Sequence, residues 1–222
     1  MHENIVRHFA IVAIMNSDVV ERMMMRYPII SDQVDRAELR TILDECVRAL
    51  TNAEGDVVEL GCYIGTTSLF LARVLSELGP KRRLHVYDSF AGLPEKTPQD
   101  ASPAGEQFKA GELFAQKSEF IRHFKQAGLQ LPVIHKGWFS ELTEADMPAQ
   151  ISFAFLDGDY YSSVKDSLAV VWPMLSKGGI VVVDDYTNEA LPGARRAVDE
   201  WLVRHPADLQ SVASLAVIRP RH

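Results

Sequence analysis

The 222-residue chain is short of cysteine, of positive charge and of long apolar runs, and each shortage removes a class of protein. Its two cysteines, Cys46 and Cys62, stand apart, and neither belongs to a Cys-x-x-Cys pair. That excludes a disulfide framework, a zinc ribbon and a thioredoxin-type redox motif, and it suits a reducing, cytoplasmic setting. Lys and Arg number 23 against 30 Asp and Glu, a net charge of −7. The basic surplus that neutralises a phosphate backbone is missing, so no nucleic-acid partner is expected. No apolar stretch nears the ~18 residues that cross a bilayer, so no membrane partner is expected either. The nearest approach, Phe9 to Met15 after Arg7 and His8, runs into Asn16, Ser17 and Asp18 rather than a small-residue cleavage site. With Ile5, Phe9, Val12 and Ala13 on one face, it reads as an amphipathic helix. Internal repeats and low-complexity tracts are absent.

What is present is ordinary globular material, 47% hydrophobic and 24% charged, which leaves no room for a disordered or fibrous reading of the whole chain. Residues 1–30 read as a helical appendage ending at Tyr27-Pro28, a lid or a dimer contact. The run Met23-Met24-Met25 suits a mobile apolar cover, or core or subunit packing. Residues 31–222 read as a single domain.

Within that domain, apolar runs alternate with helical stripes. Val34–Leu50 has helical periodicity; Asp56–Leu60 is a short, mostly apolar run near glycines. A second helix is expected after Gly65, capped by Thr66 or Thr67 and stopped by Gly79-Pro80. Leu84–Tyr87 is a strand ending in Asp88. A polar loop, Gly92 to about Gly105, precedes a helix from Gly111 to Ala127 and a strand at Pro132–His135. Ile151–Leu156 is a strand running into Asp157. Val164, Leu168, Val171, Trp172 and Leu175 form a helical stripe, and Gly179–Val183 is a strand ending at Asp184-Asp185. A helix over 190–203 and a strand at Leu215–Ile218 finish the chain. This alternation predicts an α/β fold: a doubly wound, mostly parallel sheet with helices on both faces. In such folds ligands bind beyond the carboxyl ends of the strands, where Glu59, Asp88, Asp157, Asp184 and Asp185 all fall.

Three constellations carry chemistry. Gly61 and Gly65 follow a strand and open a helix, so the backbone can turn tightly and offer free N–H groups to a ligand. The Gly-Lys-Ser/Thr of a P-loop and the third glycine of a dinucleotide fingerprint are missing, which favours a carboxylate or nucleoside over a phosphate; tight strand–helix packing explains the glycines equally well. Asp88, one helix and one strand further on, suits two hydrogen bonds from a ribose diol, with Phe90 nearby to cover an adenine face. Asp157 and Asp159 after one strand, and Asp184 and Asp185 after the next, would repel one another unless a hard divalent ion joined them. Mg²⁺ fits oxygen ligands with open positions, and such an ion lowers the pKa of a substrate hydroxyl. Helix capping by Asp159 and Asp185 is the plainer alternative.

These residues resemble the class I S-adenosylmethionine-dependent methyltransferases. Glu59-Leu60-Gly61-Cys62-Tyr63-Ile64-Gly65 is similar to the first motif of the catechol and caffeoyl-CoA O-methyltransferases. Asp88-Ser89-Phe90-Ala91-Gly92-Leu93-Pro94, Lys136-Gly137-Trp138-Phe139, Phe155 to Tyr161 and Gly178 to Tyr186 together resemble the macrocin O-methyltransferase family, whose members methylate sugar hydroxyls of antibiotics with Mg²⁺. The resemblance spans about Gly55 to Trp201. It implies a seven-stranded Rossmann-like sheet, S-adenosylmethionine and Mg²⁺ as cofactors, a small-molecule hydroxyl acceptor and a homodimer. It implies that Glu59, Gly61, Cys62, Tyr63, Gly65 and Thr67 line the methionine end of the cofactor. Asp88 and Ser89 would meet the ribose, Phe90, Gly137 and Trp138 the adenine, and Asp157 the reacting end. Asp157, Asp184 and Asp185 would bind the metal, and Asp157 or Asp159 would take the proton. Catechol-type enzymes place a lysine three residues after the first metal aspartate, where this chain has Tyr160; Lys165 and His135 stand as further bases. The first motif reads Tyr63-Ile64-Gly65 where the macrocin type usually has Trp-Arg-Gly. Two other readings share the sheet: a nicotinamide-dependent oxidoreductase, and a non-catalytic nucleoside-binding protein.

Overall fold

Short apolar runs become parallel strands when helices cover both faces of the sheet, since every side chain along the strand is then buried. The computed structural model describes residues 18–105 and 107–221. In chain order these form a helical segment α1 (residues 18–26), α2 (Arg36–Asn52), β1 (Asp56–Leu60), α3 (Thr66–Leu78), β2 (Leu84–Asp88), α4 (Lys117–Gln126), β3 (Val133–Lys136), β4 (Ile151–Leu156), α5 (Tyr161–Val171), β5 (Leu175–Val183), α6 (Pro192–Leu202), β6 (Ala207–Val212) and β7 (Leu215–Pro220). One sheet holds all seven strands in the order β3-β2-β1-β4-β5-β7-β6. The first five strands run parallel, while β7 lies antiparallel to β5 and β6 antiparallel to β7. The expected doubly wound, mostly parallel sheet is therefore the one observed.

The core divides by strand alternation. Val57, Phe153, Phe155, Ile180 and Val182 point to one face, under Met23, Leu39, Ile42, Phe70 and Phe120 of α1 to α4. Their neighbours Val58, Ala154, Leu156, Val181 and Val183 point to the other, under Val164, Leu168, Ala194 and Val198 of α5 and α6. Phe153 and Phe155 are fully buried, and each contributes roughly 1.5–3 kcal/mol relative to an exposed side chain. Met23 and Met24 are core residues, whereas Met25 is exposed. The helix expected around Ile5, Phe9, Val12 and Ala13 lies outside the described residues.

Several local expectations are corrected. The helix expected from Val34 starts at Arg36, because Asp35 and Glu38 form a capping box. Gly65, not Thr66 or Thr67, occupies the N-cap of α3, in a left-handed conformation (φ 93°). The helix expected from Gly111 begins at Lys117: Gly111 and Leu113 have positive φ, and residues 111 and 112 pair with the backbone of Leu93. β5 starts four residues before Gly179. β6 was not foreseen, because its strand is polar and mostly exposed and carries no apolar run. Neither Asp159 nor Asp185 caps a helix; the N-caps of α5 and α6 are Tyr160 and Leu191, without a side-chain cap bond of their own.

Candidate active site

The sheet register sets the site. Leu60 pairs with Tyr87 on one side and with Leu156 on the other, and Leu156 pairs with Val183. The residues that follow, Gly61, Asp88, Asp157 and Asp184, consequently leave the sheet in one row. Backbone hydrogen bonds continue the ladder past the strands: Gly61 N–H to the Tyr87 carbonyl (2.9 Å), Asp157 N–H to Leu60 (2.8 Å) and Asp184 N–H to Leu156 (2.9 Å). β2 and β4 flank β1 on opposite sides, so this row crosses the switch point of the sheet.

A cavity of about 300 Å³ opens there, lined by Gly61, Cys62, Tyr63, Asp88, Ser89, Gly137, Trp138, Asp157, Asp159, Asp184 and Asp185. The loop after β1 is held from two directions. The Asp88 carboxylate accepts from the N–H groups of Cys62 (2.9 Å), Tyr63 (3.3 Å) and Phe90 (2.6 Å). On the other side His123 of α4 meets the Ile64 carbonyl at 2.9 Å, and the Phe120 ring lies against Gly65. Of the seven described non-glycine residues with positive φ, five line the cavity: Tyr63, Phe108, Leu113, Asp159 and Asp185. Such backbone costs on the order of 1–3 kcal/mol per residue, and it concentrates at functional sites.

Not every expected site residue reaches the cavity. Glu59, Gly65, Thr67 and Phe90 stand behind its wall. Glu59 is buried and accepts a short hydrogen bond from Ser68; burial pushes its carboxyl up to about 8. Phe90 packs edge-on to Phe120, with ring centroids 6.1 Å apart. The reserve bases also lie elsewhere. His135 stacks on Tyr87 at the β2–β3 edge, and Lys165 sits over the Tyr161 ring.

The aspartates repel one another. Burial, then Asp184, Asp159 and Asp185, hold the Asp157 carboxyl well above the carboxylate range. Burial and Asp185 push Asp159 up to about 8, and burial, Asp185 and Glu38 raise Asp184. Even so, among the described residues no three His, Cys, Asp or Glu side chains are disposed to hold a metal ion together. Asp184 Oδ1 accepts from the Asp185 N–H (2.8 Å) and Asp185 Oδ1 from Asn188 Nδ2 (2.9 Å). The expected trio thus shares a cavity without being gathered as a ligand set.

Sequence reasoning missed a second wall. Gln33 before α2, Glu38 in its first turn, Gln107, Phe108 and Leu113 from the loop after β2, and Ser162 and Asp166 of α5 also line the cavity. The Asp35-x-x-Glu38 spacing signals a helix start but not that Glu38 and Asp184 line one cavity. Asp100 was missed as well. Its buried carboxylate accepts from Tyr161 N–H, Thr97 N–H and Thr97 Oγ1, each at 2.7 Å, and so serves the orphan end of α5 from a distant loop.

The sequence profile of the macrocin-O-methyltransferase (TylF) family matches residues 25–218. The chain is 33% identical over 172 residues to the 8-demethyl-8-(2,3-dimethoxy-alpha-L-rhamnosyl)-tetracenomycin-C 4'-O-methyltransferase of Streptomyces olivaceus. That match covers 73% of this chain and spans 64% of the relative's length. It is 29% identical over 189 residues to the mycinamicin III 3''-O-methyltransferase of Micromonospora griseorubida, covering 81% of this chain and 73% of that one. Among solved structures, the O-methyltransferase NovP superposes with a TM-score of 0.71 at 26% identity, over 82% of this chain and 79% of NovP.

Proposed function

The chain belongs to the macrocin O-methyltransferase family, and from that footing we propose that it moves a methyl group from S-adenosylmethionine to a hydroxyl of a small molecule. A sugar hydroxyl of a secondary metabolite is the first acceptor class to try, because the two relatives named above carry such activities in their names. The observation that carries the reading is the single row of strand ends, which brings the Gly61–Tyr63 loop, Asp88, Asp157 and Asp184 into one cavity. Family membership also favours methyl transfer over the nicotinamide and non-catalytic readings.

In this mechanism S-adenosylmethionine supplies a methyl group activated on a sulfonium. The loop at Gly61, Cys62 and Tyr63 cradles the methionine end; Asp88 and Ser89 hold the ribose; Gly137 and Trp138 border the adenine. Glu59, Gly65, Thr67 and Phe90 act one layer behind, by holding the loop and α4 in place. The acceptor would lie against the second wall with its hydroxyl toward Asp157 and Asp159; whichever of the two is ionised would take the hydroxyl proton, while the bound cofactor would supply the methyl group and leave as S-adenosylhomocysteine. Orientation in a confined site supplies much of the acceleration.

Mg²⁺ dependence belongs to the same proposal. It rests on the donor chemistry, since Asp157, Asp184 and Asp185 offer hard carboxylate oxygens suited to an ion that would polarise the acceptor hydroxyl. Because the side chains are not gathered as a ligand set, the proton goes to an aspartate without passing through an ion. We also propose a reducing, cytoplasmic setting, on the two unpaired buried cysteines, and a homodimer.

Calorimetric titration with S-adenosylhomocysteine, with NAD as control, tests the cofactor. One-to-one binding of the former alone is expected; binding of NAD instead would overturn the reading. Turnover with rhamnosylated acceptors, with and without Mg²⁺, followed by the mass gain of one methyl group, tests the rest.

A further inference from the structure

Ser214, in the turn between β6 and β7, lies next to two carboxylates that the sequence separates widely. Its hydroxyl donates to Glu38 Oε1 at 2.5 Å and lies 3.3 Å from Asp184 Oδ1. Glu38 is fixed in turn: its Oε2 accepts the Asp35 N–H at 2.9 Å, the return half of the capping box that starts α2. The turn carrying Ser214 is tied to the strand-end loop by Thr187, whose N–H donates to the Ser214 carbonyl (3.1 Å) and whose hydroxyl donates to the Ala213 carbonyl (3.3 Å). Asp184 itself is gripped at Oδ1 by the Asp185 N–H. Both contacts on Asp184 fall on the same oxygen, leaving Oδ2 as the one they do not engage. Asp184 and Glu38 both line the cavity.

We propose that Ser214 and Glu38 are positioning residues: a strut from the α2 N-terminus through the β6–β7 turn that holds Asp184 by its Oδ1 and so sets its rotamer in the cavity. This rests on the methyltransferase reading for its effect on catalysis, but not for its geometry. The two acidic side chains come from α2 and from the end of β5, and the Ser214 hydroxyl is the group both of them touch. A serine hydroxyl carries one proton and two lone pairs, so with its proton given to Glu38 it still stands against Asp184 Oδ1 and fixes where that carboxyl sits. The strut also brings α2, which lies outside the strand-end motifs, into the active site.

The test uses Ser214→Ala, Ser214→Thr and Glu38→Gln in the full chain. Glutamine still satisfies a capping box, so Glu38→Gln keeps the start of α2 and folds. We expect Ser214→Ala and Glu38→Gln to lower kcat ~10–100-fold, the scale of a small misplacement at a reacting centre. S-adenosylhomocysteine affinity and Tm should stay near wild type, and Ser214→Thr should restore most of the rate. Equal losses of rate, cofactor affinity and Tm would mean a merely structural role and overturn the proposal, as would wild-type kcat in Ser214→Ala. A crystal structure of Ser214→Ala supplies a readout independent of turnover. A rotated Asp184 carboxylate is expected, and an unmoved one overturns the strut. If the wild-type chain methylates no hydroxyl, the functional reading fails while the crystallographic result still decides the strut.

Discussion

Gly61 stands so close to Asp157 that a Cβ on residue 61 would lie 1.8 Å from the Asp157 carbonyl oxygen. The neighbour is backbone at the end of β4, which cannot swing aside. This glycine is therefore required first by the convergence of β1 and β4, and the open space it leaves for a ligand is a consequence. Its φ of 94° adds a second demand. Gly61→Ala should lose ~1–3 kcal/mol from the backbone conformation alone, more from the clash, and should bind no S-adenosylhomocysteine. Thermal denaturation and calorimetry check both; an alanine variant with wild-type Tm and affinity would contradict the geometry.

Glu59 offers a pH test that one substitution isolates. Its carboxyl rises from 4.5 to about 8 because it is buried. Between those values the native state holds a proton that the unfolded chain releases, so stability is fullest below the unfolded value and falls as pH rises through the native one. Denaturant unfolding of the wild type should therefore weaken from pH 5 to pH 9. Glu59→Gln keeps a partner for Ser68 and cannot ionise, and its curve over the same range should be flatter. Parallel curves would show that Glu59 does not carry the effect.

Asp100 and Gly193 form a lock on the loop that carries the proposed acceptor wall. A Cβ at residue 193 would lie 1.8 Å from Asp100 Oδ1 and 2.6 Å from Tyr161 N, so Gly193→Ala must push the carboxylate off the α5 N-terminus. Losing the bonds Asp100 makes there leaves buried donors unpaired, at about 1–3 kcal/mol for each one stranded. Tm should drop and acceptor KM should rise, because Gln107 and Phe108 lie on the same loop. S-adenosylhomocysteine affinity should hold, since the proposed cofactor wall is built by β1, β2 and the residues after β3. A variant that lost cofactor affinity but kept acceptor KM would reverse the assignment of the two walls.

Asp184→Ala separates the chemistry from the cofactor. Turnover should fall to background with S-adenosylhomocysteine affinity nearly intact, because Asp184 lies across the cavity from Asp88. Chelation of the wild type should have the same signature, with activity returned by added Mg²⁺. Full activity after exhaustive chelation would remove the metal from the proposal and leave the aspartates to act alone.

The sequence by itself determined the centre of the sheet. Asp56–Leu60 and Ile151–Leu156 were legible to the residue, because strands buried on both faces are mostly apolar runs, and the acidic residues at their ends were legible with them. Motif order was enough for the family. Tertiary structure alone decided the register that puts Gly61, Asp88, Asp157 and Asp184 in one row, since pairing between strands is set by packing across the sheet and leaves no local mark. It decided that Phe90 and Glu59 stand behind the cavity wall, because which face a loop residue presents depends on what packs against it, here Phe120 and Ser68. It also brought Glu38, Asp100 and Ser214 to the site. Each lies far along the chain from the group it serves, and a hydrogen bond depends on distance in space, which spacing along the chain does not encode.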